Sequence, residues 1–219
     1  MKQSLFKYFS ERRYAEDFLD GKLLFRSLAY FRDIEDAARG DQYEGTSTFR
    51  PEGGLEIHNQ TQGTDFILPM AFESSVKASE IFVYCVSQTL SDAIAKEFGA
   101  VACVEISKIA VLCSRIKSAL PANATFKAGE VDYYPPIQGG NPRWALPDNI
   151  ATSKLDCWAS QDEYRFVFSL TDALGFEKVE LRLIDRKNRP APKPEEHSKY
   201  LLETQPLADI CILHDLRSG

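Results

Sequence analysis

The run Glu80-Ile-Phe-Val-Tyr-Cys-Val-Ser87 limits this chain more than any other segment. Apolar side chains fall at both odd and even positions, so an extended conformation needs cover on both faces. The segment is expected to be a central strand, flanked by other strands and packed above and below. A second strong run, Trp158 to Leu170, enters its strand through Gln161-Asp-Glu163. Alternation there sets Tyr164, Phe166, Phe168 and Leu170 on one face. Gln161, Glu163, Arg165 and Val167 fall on the other if extended geometry begins early enough.

The remaining elements read from period and punctuation. Tyr14, Phe18 and Leu19 recur at helical spacing over 11–20, and Gly21 supplies a stop. Residues 22–27 read as a short buried strand carrying one arginine, 28–37 as a helix, and 39–45 as a polar loop. Alternating segments over 46–70, around Gly53-Gly54, predict hairpin strands. A helix over 91–98 closes at Gly99, a strand follows over 101–106, and a helix over 109–120 stops before Pro121. Strands are expected over 126–134, 163–170, 178–184 and 208–213, with a Pro/Gly-rich loop at 135–147 and an exposed connection at 186–197. Strands outnumber helices and the helices cluster early, which predicts an α+β fold with a mixed or mostly antiparallel sheet. One domain over residues 1–219 is the economical reading.

Composition excludes several function classes. The chain has 219 residues, 44% hydrophobic and 26% charged, with a net charge of −6. No global field draws it to nucleic acid or to an anionic membrane, although a local basic groove would suffice for the former. Five scattered cysteines form no CxxC pair, which argues against a disulfide framework or a zinc site and suits a reducing cytoplasm. The opening MKQSLFKYFSERRY carries charges throughout, unlike a secretory signal. Lys2, Lys7, Arg12 and Arg13 in it are expected to form a solvated helix face, or else to contact nucleic acid or an inhibitor. No apolar run is long enough to span a bilayer, so the expectation is a soluble cytoplasmic protein without a membrane partner.

Phosphate-loop, dinucleotide-fold, nucleophile-elbow and zinc-protease motifs are all missing, and the three histidines lie far apart. Any chemistry then falls to carboxylate, arginine, hydroxyl and amide groups. Arg26 interrupts LLFRSL, and a buried guanidinium must find a carboxylate, phosphate or water. It is either a structural ion pair or strand-end arginine, or a fork for an anionic ligand. Ser87 ends the central strand and reads as an ordinary strand-end hydroxyl or a site group. Tyr84 lies on the opposite face and reads most simply as a core aromatic. Glu163 and Arg165 form either a half-exposed internal pair of little worth or a carboxylate placed to stabilise positive charge, with Gln161 orienting a substrate. Lys154 and Trp158 either line the same cleft or pack locally. In Arg39-Gly-Asp-Gln-Tyr-Glu-Gly45, Asp41 and Glu44 either hold a turn or face a ligand.

Arg26 on an early strand, Ser87 on a central strand and Gln161-Asp-Glu163 opening a later one resemble, in this order, the Arg–Ser–Glu branch of the ADP-ribosyltransferase superfamily. The chain is also similar to an uncharacterised bacterial and phage family of such domains. That family carries an early L-x-F-x-S/P-x-x-x-F strand, an N-D-P-x-E loop, C-F-S, and a closing K…W-x-x-E-x-E-Y-R. Here these read LLFRSLAYF, RGDQYEG, YCVS and KLDCWASQDEYRF, over about residues 7 to 170. The loop departs with Gly-Asp-Gln, and Gln161 stands where relatives more often have Glu. The resemblance implies a split β-sheet flanked by helices, with NAD as co-substrate and no metal.

The resemblance assigns Glu163 as the catalytic carboxylate, stabilising an oxocarbenium-like ribose as nicotinamide leaves. Arg26 would hold a phosphate or ribose, Ser87 would fix the geometry around Glu163, and Gln161 would orient the acceptor. Ser27, Tyr30, Tyr84 and Lys154 complete the residues expected around NAD, with Tyr30 or Phe31 stacking on nicotinamide. The implied partners are NAD, an unidentified protein or nucleic-acid acceptor, and an inhibitor or antitoxin protein, in a toxin or phage-defence setting. The competing readings are an NAD glycohydrolase, a non-catalytic nucleotide- or partner-binding relative, and a nuclease using Asp41, Glu44 and Glu163 around magnesium.

Overall fold

The computed structural model describes residues 4–34, 40–137 and 143–216. Five strands and two helices open the chain: β1 (Leu5–Phe9), α1 (Arg12–Leu19), β2 (Lys22–Ser27), α2 (Leu28–Asp33), β3 (Thr46–Phe49), β4 (Leu55–Asn59) and β5 (Thr64–Leu68). Then come β6 (Met70–Ser75), β7 (Ile81–Ser87), α3 (Asp92–Glu97), β8 (Ala102–Ile106), α4 (Ile109–Ala119), β9 (Thr125–Glu130) and β10 (Asp132–Tyr134). The chain closes with α5 (Pro147–Ala151), β11 (Ser153–Leu155), β12 (Glu163–Ser169), β13 (Glu180–Asp185), β14 (Lys199–Glu203) and β15 (Cys211–Asp215). The fold is α+β with mostly antiparallel sheets; β10 and β11 form a parallel pair.

β7 is central, as its two-sided apolar pattern requires. One edge pairs along its length with β12, which carries β9 outside it. The other edge is shared. β2 pairs at one end, with Arg26 opposite Val83, and β1 pairs at the other, with Phe6 opposite Ser87. β2 continues outward to β14, and β1 to β8 and β15. The sheet therefore divides at this edge, and α1 bridges the two arms. Gly21 makes the turn from α1 into β2 at φ +93°, where a Cβ would lie 2.6 Å from the Thr204 carbonyl.

The larger core lies on one face, where Phe18 of α1 and Leu112 and Ile116 of α4 pack against Phe25, Tyr84, Phe166 and Phe168. The opposite face is closed over Val83 and Val167 by Leu28 and Ala29 of α2 and by Ile150 and Ala151 of α5. A sheet of β13, β6 and β3 and a separate β4–β5 ribbon complete the molecule.

Several expectations are corrected. The hairpin expected within 46–70 is β4 with β5, turning over 60–63 and not at Gly53-Gly54, while β3 pairs with β6. Gly54 instead lets the chain pass under Leu68, whose carbonyl would meet a Cβ at 2.4 Å. The expected strand over 126–134 breaks at Val131 into β9 and β10, which belong to different sheets. The last strand begins at Cys211, and helices α3 to α5 lie beyond the early part of the chain. Lys7 lies on β1, not on a helix, while Arg12 and Arg13 sit in α1 and pair with Glu16 and Glu11. Helix α2 ends at Asp33, where Ile34 turns extended. Lys2, residues 35–39 and residues 138–142 lie outside the described residues. Among those described, no helix is long and apolar enough to cross a membrane.

Phe168 is fully buried, with ring centroids 4.9 Å from Phe25, 5.1 Å from Phe82 and 5.2 Å from Tyr200. Phe168→Ala is expected to cost about 3–5 kcal/mol, read as a lowered midpoint in denaturant unfolding.

Candidate functional site

A cavity of about 760 Å³ opens over the divided edge of β7, in the size range that takes small organic ligands. Where neither arm pairs, the Cys85 carbonyl accepts a hydrogen bond from Lys7 Nζ at 2.7 Å. The same ammonium lies 4.5 Å from the centre of the Tyr84 ring. Lys7 thus satisfies a backbone acceptor that strand pairing leaves over, and gives the fork a positive floor.

The walls come from separate segments. β2 supplies Arg26, whose guanidinium lies 4.6 Å over the ring of Tyr30 on α2. Among the described residues Arg26 has no carboxylate partner. β7 supplies Ser87 and β12 supplies Glu163, and these two are direct register partners. Arg26 is opposite Val83, four residues from Ser87, or about 13 Å along the strand. Arg26, Val83, Ser87 and Glu163 share one face of the sheet.

Beside Ser87 lies a buried charged network. Arg165 grips Glu44 with both terminal nitrogens, at 2.6 and 2.9 Å, and its Nε donates to Glu163 Oε2 at 2.9 Å. Lys154 Nζ donates to Glu163 Oε1 at 3.0 Å and to Gln161 Oε1 at 2.8 Å, with the Trp158 ring 5.1 Å from it. The parallel β10–β11 pair holds Glu163 twice. Lys154 is on β11, and the hydroxyl of Tyr133, its partner on β10, accepts from the Glu163 backbone N–H at 2.9 Å.

Alternation accounts for Glu163 and Arg165 but not for Gln161. Residues 156–161 form a 3-10 turn, and Asp162 is left-handed at φ 43° and ψ 52°. That residue reverses the chain so that Gln161 and Glu163 face the same ammonium. Asp162 also bonds Gln88 and Thr89 beyond β7, which locks the exit of β7 to the entry of β12. Asp tolerates this conformation better than most residues, and such outliers concentrate at functional sites.

Titration follows from these contacts. Burial alone would raise the Glu163 carboxyl, but the Arg165 guanidinium and the Lys154 ammonium outweigh it and hold the group down at about 2. Lys154 is raised although burial opposes it, because Glu163 and Glu44 favour its charge. Burial, with Glu44 nearby, pushes Asp41 up.

The expected site residues are partly brought together. Arg26, Tyr30, Ser87, Lys154, Gln161 and Glu163 all line the cavity. Ser27 does not: it faces the other way, fully buried, and its hydroxyl accepts from the Ser198 N–H at 3.0 Å. Tyr84 stacks on Phe18 in the core and meets the cavity only beneath Lys7. The Ser87 hydroxyl is engaged in a local turn with Thr89, at 3.2 Å, rather than on Glu163. Glu163 and Arg165 are far from a weak surface pair, because both are buried and Glu44 completes the set. The nuclease arrangement fails on the same geometry: the Arg165 guanidinium stands between Glu44 and Glu163, where a magnesium ion would have to be.

No protein-family model, curated protein or solved structure matches this chain.

Glu44→Ala leaves a fully buried guanidinium short of its main partner and is expected to cost about 3–5 kcal/mol in chemical denaturation. Acid supplies a second measurement. Because the folded Glu163 group titrates below its ordinary value of 4.5, its stabilisation is complete above that pH. It is lost as pH falls toward about 2, an effect on the order of 3 kcal/mol. Glu163→Gln is expected to flatten this part of a stability–pH curve.

Proposed function

We propose that this chain is an ADP-ribosyltransferase-like enzyme that cleaves the nicotinamide–ribose bond of NAD and transfers ADP-ribose to an acceptor. The observation that carries the reading is the convergence of Arg26, Ser87 and Glu163, from three distant segments, on one sheet face at the divided edge of β7. The order Arg, Ser, Gln-x-Glu along the chain resembles the Arg–Ser–Glu branch of the superfamily, and this resemblance supports the reading.

The residues present suit NAD. Arg26 has no carboxylate partner among the described residues and can take a phosphate. Tyr30 and Phe31 offer aromatic faces at the same wall. Glu163 remains ionised across the physiological range, so it acts as a fixed negative charge beside the ribose rather than as a proton carrier. Lys154 and Arg165 each use one oxygen of that carboxylate, leaving lone pairs on both for a ribose hydroxyl.

One observation favours a second reading. Two cations already neutralise Glu163, as they would in a relative that binds a nucleotide without cleaving it. Release of nicotinamide from NAD, followed by chromatography, separates the two. The wild type is expected to release it, Glu163→Gln to lose about 100-fold or more in rate while staying folded, and Arg26→Ala to raise KM for NAD. A wild type that binds NAD and releases nothing supports the binding reading instead.

A further inference from the structure

Transfer needs a nucleophile, and among the described residues beside Glu163 none is placed to deprotonate one. Glu163 itself titrates near 2, Lys154 and Arg165 are cations, and burial pushes the Cys85 thiol up to about 11. The carbonyl of Gln161 is committed to Lys154 at 2.8 Å. No histidine lines the cavity: His58, His197 and His214 pair with Asp65, Asp33 and Glu105 elsewhere. The other carboxylates of the cavity belong to Asp17 and Glu203, both on its exposed rim, with Asp17 tied to Lys22 at 2.7 Å.

The charge arrangement points the same way. A lone Glu163 would repel an anion. Here Lys154 and Arg165 balance Glu163 and Glu44, while burial, with Glu44 nearby, pushes the adjoining Asp41 up toward its neutral form. An anionic nucleophile can therefore approach Lys154 without opposing a net negative field.

Resting on the ADP-ribosyltransferase reading, we propose that the acceptor is a carboxylate of a protein side chain, which enters beside Gln161 and Lys154 already ionised. A carboxylate has lost its proton well below neutral pH. One of its oxygens bonds to C1′ of the nicotinamide ribose as the C1′–N bond breaks. The bonding pair passes to the pyridinium nitrogen, which leaves as neutral nicotinamide. Anion and cation become an ester and a neutral leaving group, and no proton moves. A guanidinium, amine, amide or hydroxyl acceptor would have to surrender a proton to a base, and the described residues beside Glu163 supply none. The chain's net charge of −6 disfavours the polyanionic alternative, a nucleic-acid phosphate.

The test incubates the full chain with NAD labelled in the ADP-ribose moiety and a bacterial lysate, quantifies nicotinamide, and characterises the labelled product. The expected product is destroyed by protease, survives nuclease, and loses its label to neutral hydroxylamine, which cleaves acyl esters. Its rate of formation is expected to stay level from about pH 6 to 9, since neither acceptor nor Glu163 titrates there. Label that resists hydroxylamine, follows nucleic acid, or appears only as free ADP-ribose overturns the carboxylate acceptor while leaving NAD cleavage standing. A wild type that releases no nicotinamide overturns both.

Discussion

A guanidinium with almost no exposure to solvent sits at the centre of this molecule, and its pairing dictates where distant parts of the chain must lie. Arg165 is 1% exposed. It reaches Glu44 in the loop before β3, Glu163 on its own strand, and the Ala151 carbonyl at the end of α5. An unpaired buried charge costs several kcal/mol, so none of these contacts can be relaxed alone. Such a network adds little net stability over a hydrophobic equivalent. Its effect is to select one arrangement of the loop, α5, β11 and β12.

The loop bearing Glu44 is held from its other side as well. Arg32 of α2 donates to the Glu44 carbonyl through Nε and one terminal nitrogen, and its other nitrogen reaches the Lys193 carbonyl and Glu195. Arg189 ties Thr46 to Glu73. The connection over 186–197, though largely exposed, therefore clamps the loop that supports the charged network. Lys7 plays the corresponding part at the fork, replacing a strand partner with an ammonium.

How much of this is legible in sequence depends on how far each contact reaches. β2, β7 and β12 follow from local apolar runs, and α1 and α4 from helical spacing closed by Gly21 and by the stretch before Pro121. The alignment of Arg26, Ser87 and Glu163 follows from three such strands lying side by side. Glu44 and Arg165 are 121 residues apart, and nothing local marks them as partners. Read on its own strand, Arg165 has only Glu163 to pair with and looks like a surface residue. Gln161 reaches the site through the left-handed Asp162, a conformation that propensity does not encode for a non-glycine residue. The break at Val131 is equally silent, because Phe126 to Tyr134 is apolar enough to read as one strand.

The divided edge of β7 also sets an order of assembly. β2 takes the much later β14 as its outer partner, with Arg26 opposite Lys199. Glu44 waits for β12. The early strands thus keep open edges until much later segments of the chain join them. Long-range pairing of this kind slows folding and exposes edges that invite association with other chains. The same delay leaves the pocket without its charged wall until β11 and β12 join it, because Arg26 and Ser87 lie far earlier in the chain than Lys154 and Glu163.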